Sequence, residues 1–447
     1  YERGEILNSL QEIVDVEITL SDGSTTEKYM HALNAETDDD SSNKRLFICH
    51  SEKTTESDDI TVTVDGEFNV VRYDAETGGI CDIGYEICGG KTIIRYRMHP
   101  YDSLLVYLSK EGAKNCNTNQ TKVANDSDDN EKIKLYGSGV SYRMEEPNIL
   151  LLDTAQYSFD DMPFKEEEEI LKIDGILRQR IGLEKRTNND IQPWARKKEK
   201  PRHTVTLKFA FESEIEIDAV FALENGCNSE IVFNGIRAEN VDMGYYVDVA
   251  IRKTAVCAIK RGRNEILVKV PFGKDDYIEN MYLLGSFGVM LESNTNNGGE
   301  RPILKKLVWL PDHIEYKDVT CLGLPFYGGN IVYSNTVYME RSGSLEIIIP
   351  DYRGACVRIY VDGNDIGLVY KPPYNIWTNI LTKGEHTVEI KLYGNRYNTF
   401  AALHNTGKGS CLALPEAWQS QGDQFTYSYN TKSYGLLSEP SFYADYL

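Results

Sequence analysis

Two stretches of this chain repeat one strand–turn–strand pattern, and that pattern restricts the fold more than any other feature. The first copy runs Ile231-Val232-Phe233-Asn234-Gly235 and resumes at Lys260-Arg261-Gly262-Arg263-Asn264, leading into Glu265–Val270. The second runs Ile359-Tyr360-Val361-Asp362-Gly363 and resumes at Thr382-Lys383-Gly384-Glu385-His386, leading into Thr387–Leu392. Asn-Gly and Asp-Gly supply the positive φ that two-residue hairpin turns require. Alternation of apolar and polar residues gives each strand one buried face and one wet face. A unit of this kind, used twice, predicts tandem β-sandwich modules. The repeat itself holds no convergent acid, base or nucleophile.

The chain has 447 residues, enough for about three domains. Its 29 tyrosines, spread over many short alternating segments, favour strands over helices. The formal net charge of −21 and a pI near 4.9 argue against a nucleic-acid partner or an anionic membrane surface, and otherwise serve solubility. No run of 18 apolar residues predicts a membrane-spanning helix. The start at Tyr1-Glu2-Arg3, without Met, reads as a piece of a longer protein. Nine cysteines in no CxxC spacing offer no zinc site. They favour a reducing, cytoplasmic compartment over secretion.

Residues 1–110 read as a small β-sandwich, with alternating strands at 12–20, 59–64, 68–73, 93–97 and 103–108. A polar stretch without periodicity at 111–135 reads as a flexible linker, Asp38–Ser42 as an exposed loop, and Asn119 and Asn125 as chance glycosylation matches. Residues 136–305 read as a jelly-roll sandwich with one helix over 163–181. That helix is drawn with Pro163 at its start, Glu166–Glu169 in its first turns and Gly182 as its stop. Asn294–Gly299 closes this domain in the same reading. Residues 306–447 read as a second jelly roll, ending in a strand over Gln424–Tyr429 and a frayed or groove-docked tail at Phe442–Leu447. The expected fold is therefore all-β.

Several segments resemble a known family. They are Leu324–Tyr333, Tyr352–Ala355, Gly394–Phe400, Leu403–Asn405, Gly244–Asp248 and Tyr282–Val289. As a set they resemble the C-terminal galactose-binding-like jelly rolls of large bacterial glycoside hydrolases of the family 2 and α-L-rhamnosidase type. Tyr73–Gly78 and Pro100–Leu105 are similar to the small sandwich that follows the catalytic barrel in such proteins. The resemblance implies a catalytic barrel upstream as a partner domain, and no barrel pattern occurs in this chain. It also allows a structural calcium, though no DxDxDG loop supports one and no other cofactor is implied.

Glycoside hydrolysis needs two carboxylates flanking the scissile bond. The clusters Asp160-Asp161 and Glu166–Glu169 read instead as solvated acids, and the seven histidines form neither HxH nor HExxH. Catalytic and metal-binding residues are therefore not assigned. Carbohydrate recognition needs an aromatic face for the C–H surface of the sugar and planar polar groups for its hydroxyls. Tyr374, Trp377, Asn395, Tyr397, His404 and Asn405 are the candidates, with Arg396 and Asn398 beside them. The competing reading makes Trp377 and Tyr397 rim core and makes Asn395 and Asn398 turn caps. The expected function is that of a non-catalytic scaffold in a glycoside hydrolase. The alternatives are a free-standing carbohydrate-binding or adhesion array and, last, an enzyme in its own right.

Overall fold

Both hairpins of the repeat form. In the computed structural model, Asn234 and Gly235 have φ of 48° and 81°, and Asp362 and Gly363 have 50° and 77°. Positive φ at both central residues is the turn whose twist matches the flanking strands. Phe233 pairs with Ile266 and Val361 with Val388, and all four are buried. The structure describes the chain except residues 1–14, 36–42, 52–55, 76–77, 112–131, 187–196, 225, 294, 297–298, 301 and 407–421. Most of the expected linker, the Asn119 and Asn125 sequences and Asp38–Ser42 lie outside the described residues.

The described architecture is all-β and divides into two units, Tyr1–Ile133 with Val369–Asn375, and Lys134–Leu368 with Ile376–Leu447. The first unit is a sandwich of a four-stranded and a five-stranded antiparallel sheet. Val62, Val64 and Ile94 from one sheet face Leu46, Ile48, Leu104 and Val106 from the other. Three strands that the alternation did not announce, Tyr29–Ala35, Lys44–His50 and Ile80–Asp82, complete the five-stranded sheet.

The second unit holds two further sandwiches. One is built on Asn148–Leu152, Thr154–Phe159, His203–Ser213, Ile217–Glu224, Asp248–Ile259 and Gly262–Phe272. Asn148–Leu152 is buried along its whole length, as a strand with both faces covered must be. The other is built on Ile331–Met339, Gly343–Ile348, Val357–Val361, Gly384–Leu392 and Ser441–Tyr446.

Strand pairing crosses the expected boundaries. Ser138–Met144 pairs with Ile331–Met339 in the last sandwich, and Ile133–Leu135 joins that sandwich through Ser441–Tyr446. Leu304–Val308 returns to the preceding sandwich after Asn294–Gly299, parallel to His203–Ser213. The end of the chain is a paired strand with Phe442 and Ala444 buried, whereas Gln424–Tyr429 is irregular.

The helix is shorter than its sequence suggests. Lys165–Glu169 is a strand paired with Thr154–Phe159, and the helix runs Ile170–Arg180. Glu169 is its N-cap and accepts from the Leu171 and Lys172 amides at 3.0 and 2.8 Å. The acids read as a dipole-favoured first turn are thus sheet residues, because pairing with a neighbouring strand overrides local preference. Gly182, at φ 76°, does stop the helix. Its amide reaches the Gln179 carbonyl and the Leu183 amide reaches the Arg178 carbonyl, which satisfies the last turn. Tyr397–Phe400 is a second, single-turn helix.

Candidate functional site

The six sugar-binding candidates do not occupy one kind of environment. Trp377 is 40% exposed on the edge strand Asn375–Trp377. The following residue is pinned, since the Thr378 amide donates to the Leu345 carbonyl at 2.9 Å and Thr378 Oγ1 accepts from the Leu345 amide at 3.0 Å. Tyr374 belongs to the first unit, with φ 57° and its amide donating to the Lys371 carbonyl at 3.0 Å. Asn395 is exposed and its Oδ1 accepts from the Tyr397 amide at 3.1 Å, the turn-capping role. Tyr397 is half-buried, with Lys432 Nζ 5.6 Å from its ring centroid. Asn398 is buried and clamps the Lys432 backbone through both amide atoms, at 2.7 and 2.8 Å. Arg396 forms a fork with the Glu146 carboxylate.

His404 and Asn405 are interior. Asn405 Oδ1 accepts from Asn430 Nδ2 at 3.0 Å. His404 Nε2 lies 3.2 Å from Asp153 Oδ2. Asp153 also takes the Lys305 ammonium and, at 2.9 Å, the Tyr429 hydroxyl. Burial alone would raise the Asp153 pKa, but the Lys305 charge and the His404 bond hold it below the carboxylate range. Phe425, Tyr427 and Tyr429 surround the imidazole, with centroids 6.0, 6.2 and 4.6 Å away. Glu169, the helix cap, lies beside this cluster. Burial pushes its pKa up to about 7, opposed by His404 and the two capped amides and reinforced by Asp153. Aspartate, histidine and tyrosine in contact have the parts of a proton relay, yet these side chains are buried and bonded to one another. They pin residues 403–406 and 425–429 onto the preceding sandwich, whose core also takes in Phe326 and Ala402.

A cavity at one end of that sandwich carries groups that no motif announced. Glu224 closes the strand Ile217–Glu224, Ser229 follows a single 3-10 turn, and Asp276, Tyr277 and Glu279 sit in the connection between Gly262–Phe272 and Met281–Gly285. The cavity encloses about 350 Å³ of empty space counted to its open mouth, with Val270 and Met281 among its walls. Arg186 bridges Glu279 and Asp174 and lies 4.4 Å from the Tyr277 ring centroid. Burial, then the Glu279 charge, pushes the Glu224 pKa up to about 7, against Arg186 and a bond from Tyr277. Burial raises Glu279 as well, with Arg186 opposing. These residues were missed because they come from two separate stretches, 223–229 and 270–281, that converge only when the sandwich closes. Among the described residues no group of three or more His, Cys, Asp or Glu is placed to hold a metal ion.

No protein-family model matches the chain, and no curated protein matches it. Solved structures that it is similar to include glycoside hydrolases. A rhamnosidase from Novosphingobium sp. PP1Y aligns over 98% of this chain and 26% of its own length, at 12% identity and a TM-score of 0.39. A GH2 β-galacturonidase from Eisenbergiella tayi aligns over 57% of this chain and 38% of its own, at 10% identity and a TM-score of 0.20. An anti-sigma factor domain-containing protein from Clostridium clariflavum aligns over 55% of this chain and 90% of its own, at 9% identity and a TM-score of 0.17. The chain thus spans about a quarter of that rhamnosidase and less than two-fifths of that galacturonidase, and superpositions this loose separate neither an enzyme part from a binding module nor one sugar from another.

Proposed function

We propose that this chain is a non-catalytic β-sandwich region of a glycoside hydrolase, which supports an upstream catalytic domain and carries a sugar platform at Trp377. The observation behind the platform is the exposure of the Trp377 indole on a strand whose next residue is held to Leu345 by two hydrogen bonds. A half-exposed indole on an anchored strand is the surface that the C–H face of a sugar needs, and the anchored backbone lowers the ordering cost of binding. The scaffold part of the proposal is supported by three of the buried acids. Asp153, Glu169 and Asp174 are each engaged by a cation or a backbone amide of the same chain, which is structural use.

The test uses the purified chain. It should turn over no aryl glycoside above buffer background, while a glycan array or sugar titration finds binding. Trp377→Ala should remove that binding and leave the melting temperature nearly unchanged. A drop of about 3–5 kcal/mol in stability would instead make Trp377 a packing residue. Aryl glycoside turnover that is lost on mutating one acid would make the chain an enzyme.

A further inference from the structure

We propose that the Glu224–Glu279 cavity is a binding site for a primary ammonium group. The charge count comes first. Glu224, Glu279 and Asp276 line one cavity, and the guanidinium beside them, Arg186, is shared between Glu279 and the buried Asp174. Asp174 has a second partner in Arg178, and that side chain is buried with it. Lys198 lies near enough to act on Asp276, so two cations stand against three cavity carboxylates, and a positive guest would compete with the proton that burial favours on Glu224.

The second observation is independent of charge. Ser229 lines the same cavity, is more than nine-tenths buried, and its Oγ has no hydrogen-bond partner among the described residues. A buried hydroxyl without a partner costs about 1–3 kcal/mol, so an absent guest that bonds it is the economical explanation. An alkylammonium has three N–H donors. Two carboxylates and one hydroxyl are three acceptors of the right kind.

Size and polarity narrow the guest. The interior has room for about one water-sized group, which suits an –NH3+ head and leaves the rest of the guest at the open mouth. Val270, Met281 and Leu223 supply apolar wall for the carbon that carries the amine. The ligand class is thus a primary amine on an aliphatic carbon. An amino sugar and a lysine side chain share that chemistry. This inference does not depend on the sugar platform at Trp377.

The test is a thermal-shift titration of the whole chain with methylammonium chloride at neutral pH, against tetramethylammonium chloride at equal ionic strength. Methylammonium should raise the melting temperature saturably, by about 1 °C or more at concentrations above its Kd, and tetramethylammonium should not. Glu224→Gln and Ser229→Ala should each lose that rise. If Glu224→Gln fails to fold, Ser229→Ala decides. Glucosamine and Nα-acetyl-lysine amide, run in parallel, identify the source by whichever gives the larger shift. An equal rise with both salts would overturn the proposal. So would a rise retained in Ser229→Ala, or a shift obtained with calcium chloride and not with methylammonium.

Discussion

Asn264 and His386 stand at the same point of the two repeated hairpins, and each ties its turn to the strand behind it. Asn264 Oδ1 accepts from the Asn234 side chain at 2.9 Å, and its Nδ2 donates to the Lys260 carbonyl at 2.7 Å. His386 Nδ1 lies 2.6 Å from Asp362 Oδ2, and its Nε2 lies 2.8 Å from the Thr382 carbonyl, again four residues back. The backbone repeats as well. Asn234 and Glu265 exchange two bonds at 2.9 Å, as do Asp362 and Thr387. A third copy, without the Asn/Asp-Gly signature, joins Asp160 to His203 at 2.7 Å and to the Thr204 amide at 2.9 Å. There Asp161, at φ 59°, takes the place of the glycine.

His386→Asn should therefore be milder than His386→Ala. Both ring nitrogens of His386 face acceptors, so the imidazolium is the form that fits. Burial works against that charge, but the Asp362 bond and the Thr382 carbonyl overcome it and raise the pKa above 6.5. Asp362 is lowered below 3.8, burial opposing and His386 and Thr387 prevailing. The histidine's contribution is complete below 6.5 and fades as pH rises through its raised value. The aspartate's is complete above 3.8 and fades as pH falls through its lowered value. The pair is at full strength between these limits. His386→Ala should cost about 1–3 kcal/mol there, nearer the lower figure because Asp362 is 43% exposed. Urea melts at pH 5 and pH 8.5 check both the magnitude and the sign.

Glu169 should give stability the opposite slope to an ordinary surface carboxylate. Its pKa is pushed up from 4.5 to about 7 on folding, so the native state holds a proton that the unfolded chain has lost. Stability should fall as pH climbs through that window, with Glu224 adding to the same slope. Glu169→Gln removes the Glu169 share and keeps an acceptor for the cap. Glu169→Ala also loses the cap, at about 0.5–2 kcal/mol. A denaturation series from pH 4.5 to pH 7.5 distinguishes them, and an unchanged slope in Glu169→Gln would refute the assignment.

Asp153→Asn should be severe and partly reparable. It leaves the Lys305 ammonium buried without its counter-charge, which costs about 3–5 kcal/mol. Adding Lys305→Met removes the stranded charge and should recover a large part of that loss. Additive effects in the double mutant would mean that the pair is not coupled in the folded state.

Gly363 and Val247 make a matched test of backbone strain. A Cβ on Gly363 would meet nothing within 4 Å, so Gly363→Val probes φ alone and should cost about 1–3 kcal/mol. Gly363→Asn should cost much less, because Asn tolerates this conformation. Val247 already sits at φ 58°, between the buried Tyr246 and the strand Asp248–Ile259. Val247→Gly relieves about 1–2 kcal/mol of strain against about 0.5–1 kcal/mol of added chain entropy. Its melting temperature should hold or rise, although an apolar side chain is lost.

What the sequence determined by itself was whatever depends on a few consecutive residues. Asn234-Gly235 and Asp362-Gly363 specify positive φ locally, so both hairpins, the alternation of Phe233 and Val361 and the all-β class were legible. Gly182 marked the helix end for the same reason. Tertiary structure decided what depends on distant partners. Lys165–Glu169 is a strand because Thr154–Phe159 lies beside it, and Ser138–Met144 joins the last sandwich because its partner is Ile331–Met339. His404 read as a surface sugar contact until it met Asp153, 251 residues away. Glu224, Ser229 and Glu279 carry no spacing signal. They form one cavity only because strand ends separated in sequence meet at one edge of a closed sandwich, where burial and mutual charge set their chemistry.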